Sequence, residues 1–403
     1  MSKGSFFTGQ PIFNQILNFI PRTQINSICR THNSDHYYKS FKTYEHLVTM
    51  LYSIFNRCES LREVSTGLLA WEHRIKHLGI NYHPRRSTIS DANKNRSHEV
   101  FEAIYMMLLQ RYKDFLPDSR KRSRKNNLYI FDSTSIALFQ EILKAAGMSK
   151  DNGQRKGGIK VHTLLHAGSD VPTMIRYSAA ADNDTKFLKE VKLPKHSVVV
   201  FDKGYRNYYQ YNRLTQEGIT WVTRHRDSSI FKVTQKLAVS DFQKQKGIVF
   251  DKSIQLGHQY QKTKVDARLI KYFDPVGKRY FLFLTNNKER SSLSIANYYR
   301  QRWQIETFFK RIKQNYPLQY FLGDNENAIK IQIWCVLIAD LLLKVIRKGT
   351  RSKMGHSNIT GLIRLHLMTY MDLNKFLRSP EKSLLKKVMA QKKLLVAPSL
   401  FSP

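Results

Sequence analysis

Leu128–Thr134 reads LYIFDST: four apolar or aromatic residues run straight into an aspartate, Asp132. Ser197–Tyr205, SVVVFDKGY, repeats the arrangement and ends its apolar run at Asp202. Both read as short strands. Between them GIKVHTLLHAG (158–168) and VPTMIRYSAA (171–180) read as two more strands joined by a turn at Gly168–Asp170. DNDTKFLKEV reads as a capped helix, Tyr205–Gly218 as a second helix, and ITWVTRH (219–225) as a further strand. Strands interleaved with helices make this an α/β chain, a mixed sheet flanked by helices. From about 227 to 287 the character changes to IVFDKSIQL, DARLIKYFD and RYFLFLT, strands separated by polar turns and read as a β insertion.

Working outward, residues 1–118 are expected to be an all-α N-terminal domain, with periodic apolar runs at Tyr44–Phe55, Leu61–Trp71 and Val100–Leu116. The intervening HLGINYHPRRSTISDANKNR suits either of two readings. One is a helix-turn-helix variant with Ser87 as N-cap and Arg85, Arg86, Ser90, Asn93, Lys94 and Arg96 facing DNA; the other is a basic solvated helix between core helices. A basic linker is expected at 119–127, an α/β domain at 128–345 with a deeply buried helix at Ala328–Ile346, and a basic tail with helical stretches at 346–403.

Composition narrows the partner. Lys and Arg number 67 against 31 acids, a net charge of 67 − 31 = +36. An enzyme of small neutral substrates has no need of that imbalance, whereas a polyanion such as nucleic acid demands it. A membrane surface is the competing partner, but no apolar run approaches the ~20 residues a spanning helix needs. The N-terminal segment lacks a long apolar stretch and a small-residue cleavage site, so no secretory signal is expected. Cys29, Cys58 and Cys335 are far apart and form neither a disulfide framework nor a zinc cluster. A reducing, cytoplasmic setting and oxygen ligands for any metal are the expectations.

The third informative segment is Tyr299–Lys313, YRQRWQIETFFKRIK. At about 100° per residue a helix there gathers Tyr299, Arg302, Glu306 and Lys313 on one arc of roughly 60°, apart from an apolar stripe of Ile305, Phe308, Phe309 and Ile312. Ligands of open α/β sheets collect at the carboxyl ends of strands. Two aspartates there repel unless a cation lies between them. With Glu306 as a third donor, the set fits Mg²⁺ or Mn²⁺ better than zinc. A pair of such ions about 4 Å apart clamps the attacking and leaving oxygens of a phosphoryl displacement.

These residues together resemble a DDE transposase of the insertion-sequence-four type. The signatures are DST at Asp132–Thr134, DKGY at Asp202–Tyr205, and Y-x2-R-x3-E-x6-K at Tyr299, Arg302, Glu306 and Lys313. The resemblance covers roughly 128–345 and implies a ribonuclease-H-like catalytic domain interrupted by the β insertion. It implies Asp132, Asp202 and Glu306 as catalytic ligands of two Mg²⁺ ions, with Mn²⁺ able to substitute, and Tyr299, Arg302 and Lys313 as holders of DNA phosphates. It further implies cleavage and strand transfer at insertion-sequence ends, double-stranded DNA partners (terminal inverted repeats and target), a homodimer in the synaptic complex, and a bacterial, nucleoid-associated protein. The alternative within enzymes is a metal-dependent endonuclease on the same scaffold, without strand transfer.

Other residues read as structural. Asp182 and Asp184 precede a helix, where capping accounts for them. Lys160 and His162 alternate along one strand, with a face shared with the aspartates possible and a structural histidine the favoured reading. Trp221 and Trp303 could stack a flipped base, but core packing is the favoured reading of each.

Overall fold

The computed structural model describes residues 9–116, 127–137, 148–151, 154–180, 182, 184–257 and 263–385. The basic segment 117–126, the greater part of the linker read from sequence, and the tail beyond 385 lie outside those residues. The chain divides into two compact units, residues 117–310 and residues 1–116 with 311–403.

In the first of these, strands β1 (Leu128–Ala137), β2 (Met148–Asp151), β3 (Gln154–His166), β4 (Val171–Ala179), β5 (Val198–Phe201) and β6 (Thr220–Arg224) carry the sheet that holds the aspartates. β4, β3 and β1 are antiparallel neighbours; β1 then pairs in parallel with β5, and β5 in parallel with β6. This mixed order, three antiparallel strands followed by two parallel ones, is ribonuclease-H-like. The turn between β3 and β4 falls at 167–170, and Asp170 takes the left-handed conformation at φ 54°.

Four further strands, β7 (Phe231–Leu237), β8 (Ile248–Leu256), β9 (Val265–Asp274) and β10 (Arg279–Thr285), extend that same sheet. β10 pairs antiparallel with β6, and β9, β8 and β7 follow outward. Helix α9 (Asp241–Gln245), with Ser240 and Gln243 in a reciprocal cap, links β7 to β8. The β-rich segment therefore adds strands to the sheet edge.

Strand alternation gives the sheet two different faces. Phe131, Val199, Phe201 and Trp221 point into an apolar core with Leu188 and with Tyr211 and Leu214 of α8 (Tyr208–Gln216). The other face of β5, β6 and β10 is packed by α10 (Ser292–Arg300). Ser291 caps α10, its hydroxyl accepting from the Ser294 amide.

The second unit is helical: α1 (Ile12–Leu17), α2 (Arg22–Thr31), α3 (Thr43–Asn56), α4 (Leu61–Ala70), α5 (Glu72–Ile75), α6 (Arg86–Asn95) and α7 (His98–Tyr112), then α12 (Glu326–Thr350), α13 (His356–His366) and α14 (Leu373–Arg378). Asn325 caps α12, which is buried along most of its length against α3, α6, α7, α13 and α14, as the apolar run at 328–346 predicts. Its one buried acid, Asp340, is met by Arg311, Lys344 and His356. No helix among the described residues is long and apolar enough to cross a membrane.

The helix-turn-helix reading needs correction. Arg85, not Ser87, stands at the N-cap of α6, and no side chain caps it. Asn93 and Arg96, expected to face DNA, are 1% and 2% exposed. Asn93 Nδ2 donates to the Leu322 carbonyl, and its Oδ1 meets the His46 ring. Arg96 donates to the carbonyls of Ser34 and Phe41. Both satisfy buried polar groups between helices. Arg85, Arg86, Ser90 and Lys94 are exposed.

Candidate active site

Register builds the site. Leu128 pairs with Val198 and Phe131 with Phe201, an offset of 198 − 128 = 70. Asp132 and Asp202 differ by the same 70, so they stand side by side on adjoining parallel strands, just past the last paired residues. Between β5 and β6 the offset is 220 − 198 = 22. That sets Arg224 beside Asp202. Arg224 Nη2 donates to Asp202 Oδ1 at 2.9 Å.

The third acid arrives from α11 (Trp303–Asn315). A single helix from Tyr299 to Lys313 is not what forms. α10 ends at Arg300, and the turn at Gln301–Arg302 is tightened by i→i+3 bonds, Arg302 N to Tyr299 O at 3.0 Å and Ile305 N to Arg302 O at 3.1 Å. In such a turn residues three apart lie nearly above one another, which keeps Tyr299 and Arg302 on one side. Arg302 Nη1 donates to Asp132 Oδ2 at 2.8 Å, and its Nη2 donates to Glu306 Oε1. Tyr299 OH donates to Asp202 Oδ1 at 3.2 Å, while its ring packs on Phe283 with centroids 5.0 Å apart. Asp132, Asp202, Tyr299, Arg302 and Glu306 thus come together. Lys313 lies on the last part of α11, beyond the boundary at 310/311 and in the helical unit, where burial lowers its pKa.

The electrostatics follow from this packing. Burial pushes the Asp132 carboxyl up to about 6, Asp202 and Glu306 adding to the shift, and Arg302 and the Ser133 amide opposing it. Burial works the same way on Asp202, but the Arg224 hydrogen bond and the charges of Arg224 and Arg302 outweigh it and leave the pKa below the usual range. Burial raises the Tyr299 hydroxyl, so it stays a neutral donor. Three acids with only oxygen donors and a surplus of negative charge suit a hard divalent cation. Among the described residues no three His, Cys, Asp or Glu side chains already close to metal-holding distance, since Arg302 stands between two of the acids.

Two sequence expectations change here. His162 and Lys160 pair across from Ser133 and Ser135, whereas Asp132 pairs with Thr163, so they point to the opposite face from the aspartates. His162 is buried, stacked on Phe187, and 2.9 Å from Ser178 Oγ, a structural histidine. Asp184 opens the 3-10 turn Asp184–Glu190 and pairs with Lys160 at 2.9 Å. Trp221 is core, its Nε1 donating to Thr215 Oγ1 at 3.1 Å, but Trp303 is 66% exposed beside Arg302 in sequence. The residue that sequence reading missed is Arg224, and the signal was available: a cation at the carboxyl end of the next strand. A small cleft lined by Lys203, Arg206, Arg224 and Arg226 adjoins it, so cations outnumber acids on this side of Asp202.

Residues 123–342, more than half of the chain, match the family model of the transposase DDE domain. The chain belongs to the family of DDE-domain transposases. It is 28% identical to a Sinorhizobium fredii protein named as a transposase, y4zB, over 74% of this chain and 81% of that one. It is 27% identical to a Synechocystis protein named for insertion sequence element IS4SA, over 64% and 71%. A second model, a domain of unknown function (DUF4372), matches residues 8–81. A solved piggyBac transposase synaptic complex aligns with 98% of this chain and 81% of its own at 12% identity and TM-score 0.41, too loose a likeness to bear on the site. As a transposase of the DDE type the chain is an enzyme that acts on DNA and depends on divalent metal.

Proposed function

We propose that this transposase is of the insertion-sequence-four type, that Asp132, Asp202 and Glu306 hold two Mg²⁺ ions, and that it cleaves element ends and joins the freed 3′-hydroxyl to target DNA. The observation that carries the reading is the meeting of the three acids with Tyr299 and Arg302 where the pairing of β1 with β5 ends, Asp132 midway along β1 and Asp202 just past β5. When bound, the ions supply positive charge to the attacking and leaving oxygens of the phosphodiester. The chain's residues do the rest. Asp132 and Asp202, on adjoining strands, fix the spacing of donors, and Glu306 adds a third donor from α11. Arg302 offers a planar fork to a non-bridging phosphate oxygen pair, Tyr299 a neutral hydroxyl, and Lys313 a point charge. The +36 chain draws the polyanion in, and two ends brought together call for a homodimer. A 128–345 catalytic domain preceded by an end-recognising helical region remains our division by function.

Purified full-length protein, duplex carrying the inverted repeats that flank its coding region, and Mg²⁺ test this. Cleavage and joining are expected with wild type and are lost with EDTA, Asp132→Asn or Glu306→Gln. Cleavage that survives either substitution contradicts the assignment; cleavage without joining supports the endonuclease instead.

A further inference from the structure

The three acids are already partnered by cations from their own chain. One guanidinium, Arg302, spans Asp132 and Glu306, and a second, Arg224, holds Asp202. Arg302 and Asp132 are 16% and 18% exposed, so salt screens their attraction little. Arginine keeps its charge at any working pH, so the guanidinium does not release the acids by losing its proton. A better acceptor for the fork can draw it away. A DNA phosphate is one: it is anionic, presents paired oxygens, and binds arginine bidentately as a carboxylate does.

We propose that Arg302 is a gate on metal loading: in the DNA-free chain its guanidinium occupies the space between Asp132 and Glu306 and keeps a divalent cation out, and it leaves when a DNA phosphate takes its fork. The inference rests on the reading of the three acids as metal ligands. Metal and DNA then bind with positive coupling, because each is favoured by the same displacement of one side chain. The movement asked for is small. Arg302 sits in the turn between α10 and α11, so its side chain can swing from the acids while Tyr299 and Glu306 keep their helices. Arg224 joins a single acid, so its removal frees less. A consequence is that the enzyme loads its metals on DNA rather than in solution.

The test is Mn²⁺ binding to full-length, metal-free and DNA-free protein, read from the loss of the free-ion electron paramagnetic resonance signal. Arg302→Gln is expected to bind Mn²⁺ on the order of tenfold tighter than wild type. Arg302→Lys, which keeps the charge but loses the fork, should fall between. Asp132→Asn combined with Arg302→Gln should return to weak binding. A second readout covers a variant that folds less well: Mn²⁺ should raise the melting temperature of Arg302→Gln more than that of wild type, whatever the starting values. Equal affinities, or equal melting shifts, overturn the gate. If wild type and Arg302→Gln bind equally tightly and both lose the ion with Asp132→Asn, the acids are ligands but Arg302 is no gate. If the double variant keeps tight binding, the ligand reading itself fails.

Discussion

Two arginine–carboxylate networks sit in the same compact unit and behave differently. In the β-rich edge, Asp251 of β8 and Arg268 of β9 are 2% and 7% exposed. Arg268 donates to both Asp251 oxygens and to the backbone carbonyls of Asn287 and Arg290, and Ser292 Oγ donates to Asp251 Oδ2 at 2.6 Å. One acid, one base, two carbonyl acceptors and one hydroxyl donor close on themselves. Where the pairing of β1 with β5 ends, three acids share two arginines, and Asp202 and Glu306 are 30% and 36% exposed. The closed network locks the added strands to the start of α10. The open one keeps binding capacity. Chemistry is the same in both, and the count of acceptors against donors decides which is scaffold and which is site.

Substitutions should separate the two. Glu306→Gln is expected to cut Mg²⁺-dependent DNA cleavage to the level seen with EDTA while moving the melting temperature little, because a half-exposed acid holds little of the fold. Asp251→Asn should do the reverse in kind, costing about 3–5 kcal/mol by leaving Arg268 buried with half its partners. Chemical denaturation reads that loss, and a cost under about 1 kcal/mol would deny the lock.

A pH experiment sharpens the contrast further. The folded pKa of Asp132, about 6, lies above the free value of 3.8, so the folded chain holds this proton more tightly. The stability this gives is full below about pH 4 and is lost as pH rises through 6. Above that, ionised Asp132 is a cost, and Asp132→Asn in metal-free protein should melt higher than wild type at pH 8, by the equivalent of about 1–2 kcal/mol. The advantage should vanish near pH 4; an advantage unchanged with pH would assign it to packing. The smallest effect is expected from Ser292→Ala, about 1 kcal/mol for one hydrogen bond to the buried Asp251, again read by denaturation.

Much of this was legible in the residues. Apolar runs ending in aspartate marked β1 and β5, and the gap of 70 between the aspartates is the parallel register itself. Other parts were hidden for physical reasons. No Gly or Pro announces the turn at Gln301–Arg302, because it is a tightening of helical hydrogen bonds and needs no special backbone. Asn93 and Arg96 look like a polar surface because a sequence shows polarity but not which polar groups satisfy each other inside. Alternation along β3 gave His162 and Lys160 a common face, yet which face depends on the pairing with β1, a long-range fact. Arg224 shows in the sequence as a cation at the end of its strand, but its partner, Asp202, is set only by the β5–β6 pairing. Trp303 is exposed because Ile305, Phe308 and Ile312 supply the buried side of α11.

The central claim is that Asp132, Asp202 and Glu306 share divalent metal. Fe²⁺ substituted for Mg²⁺ in the complex with element-end duplex, followed by ascorbate and peroxide, cuts the polypeptide wherever the ion sits. The account predicts backbone cuts clustered near 132, 202 and 306, and their loss in Asp202→Asn. Cuts elsewhere in the chain, or the same three clusters in Asp202→Asn, would contradict it.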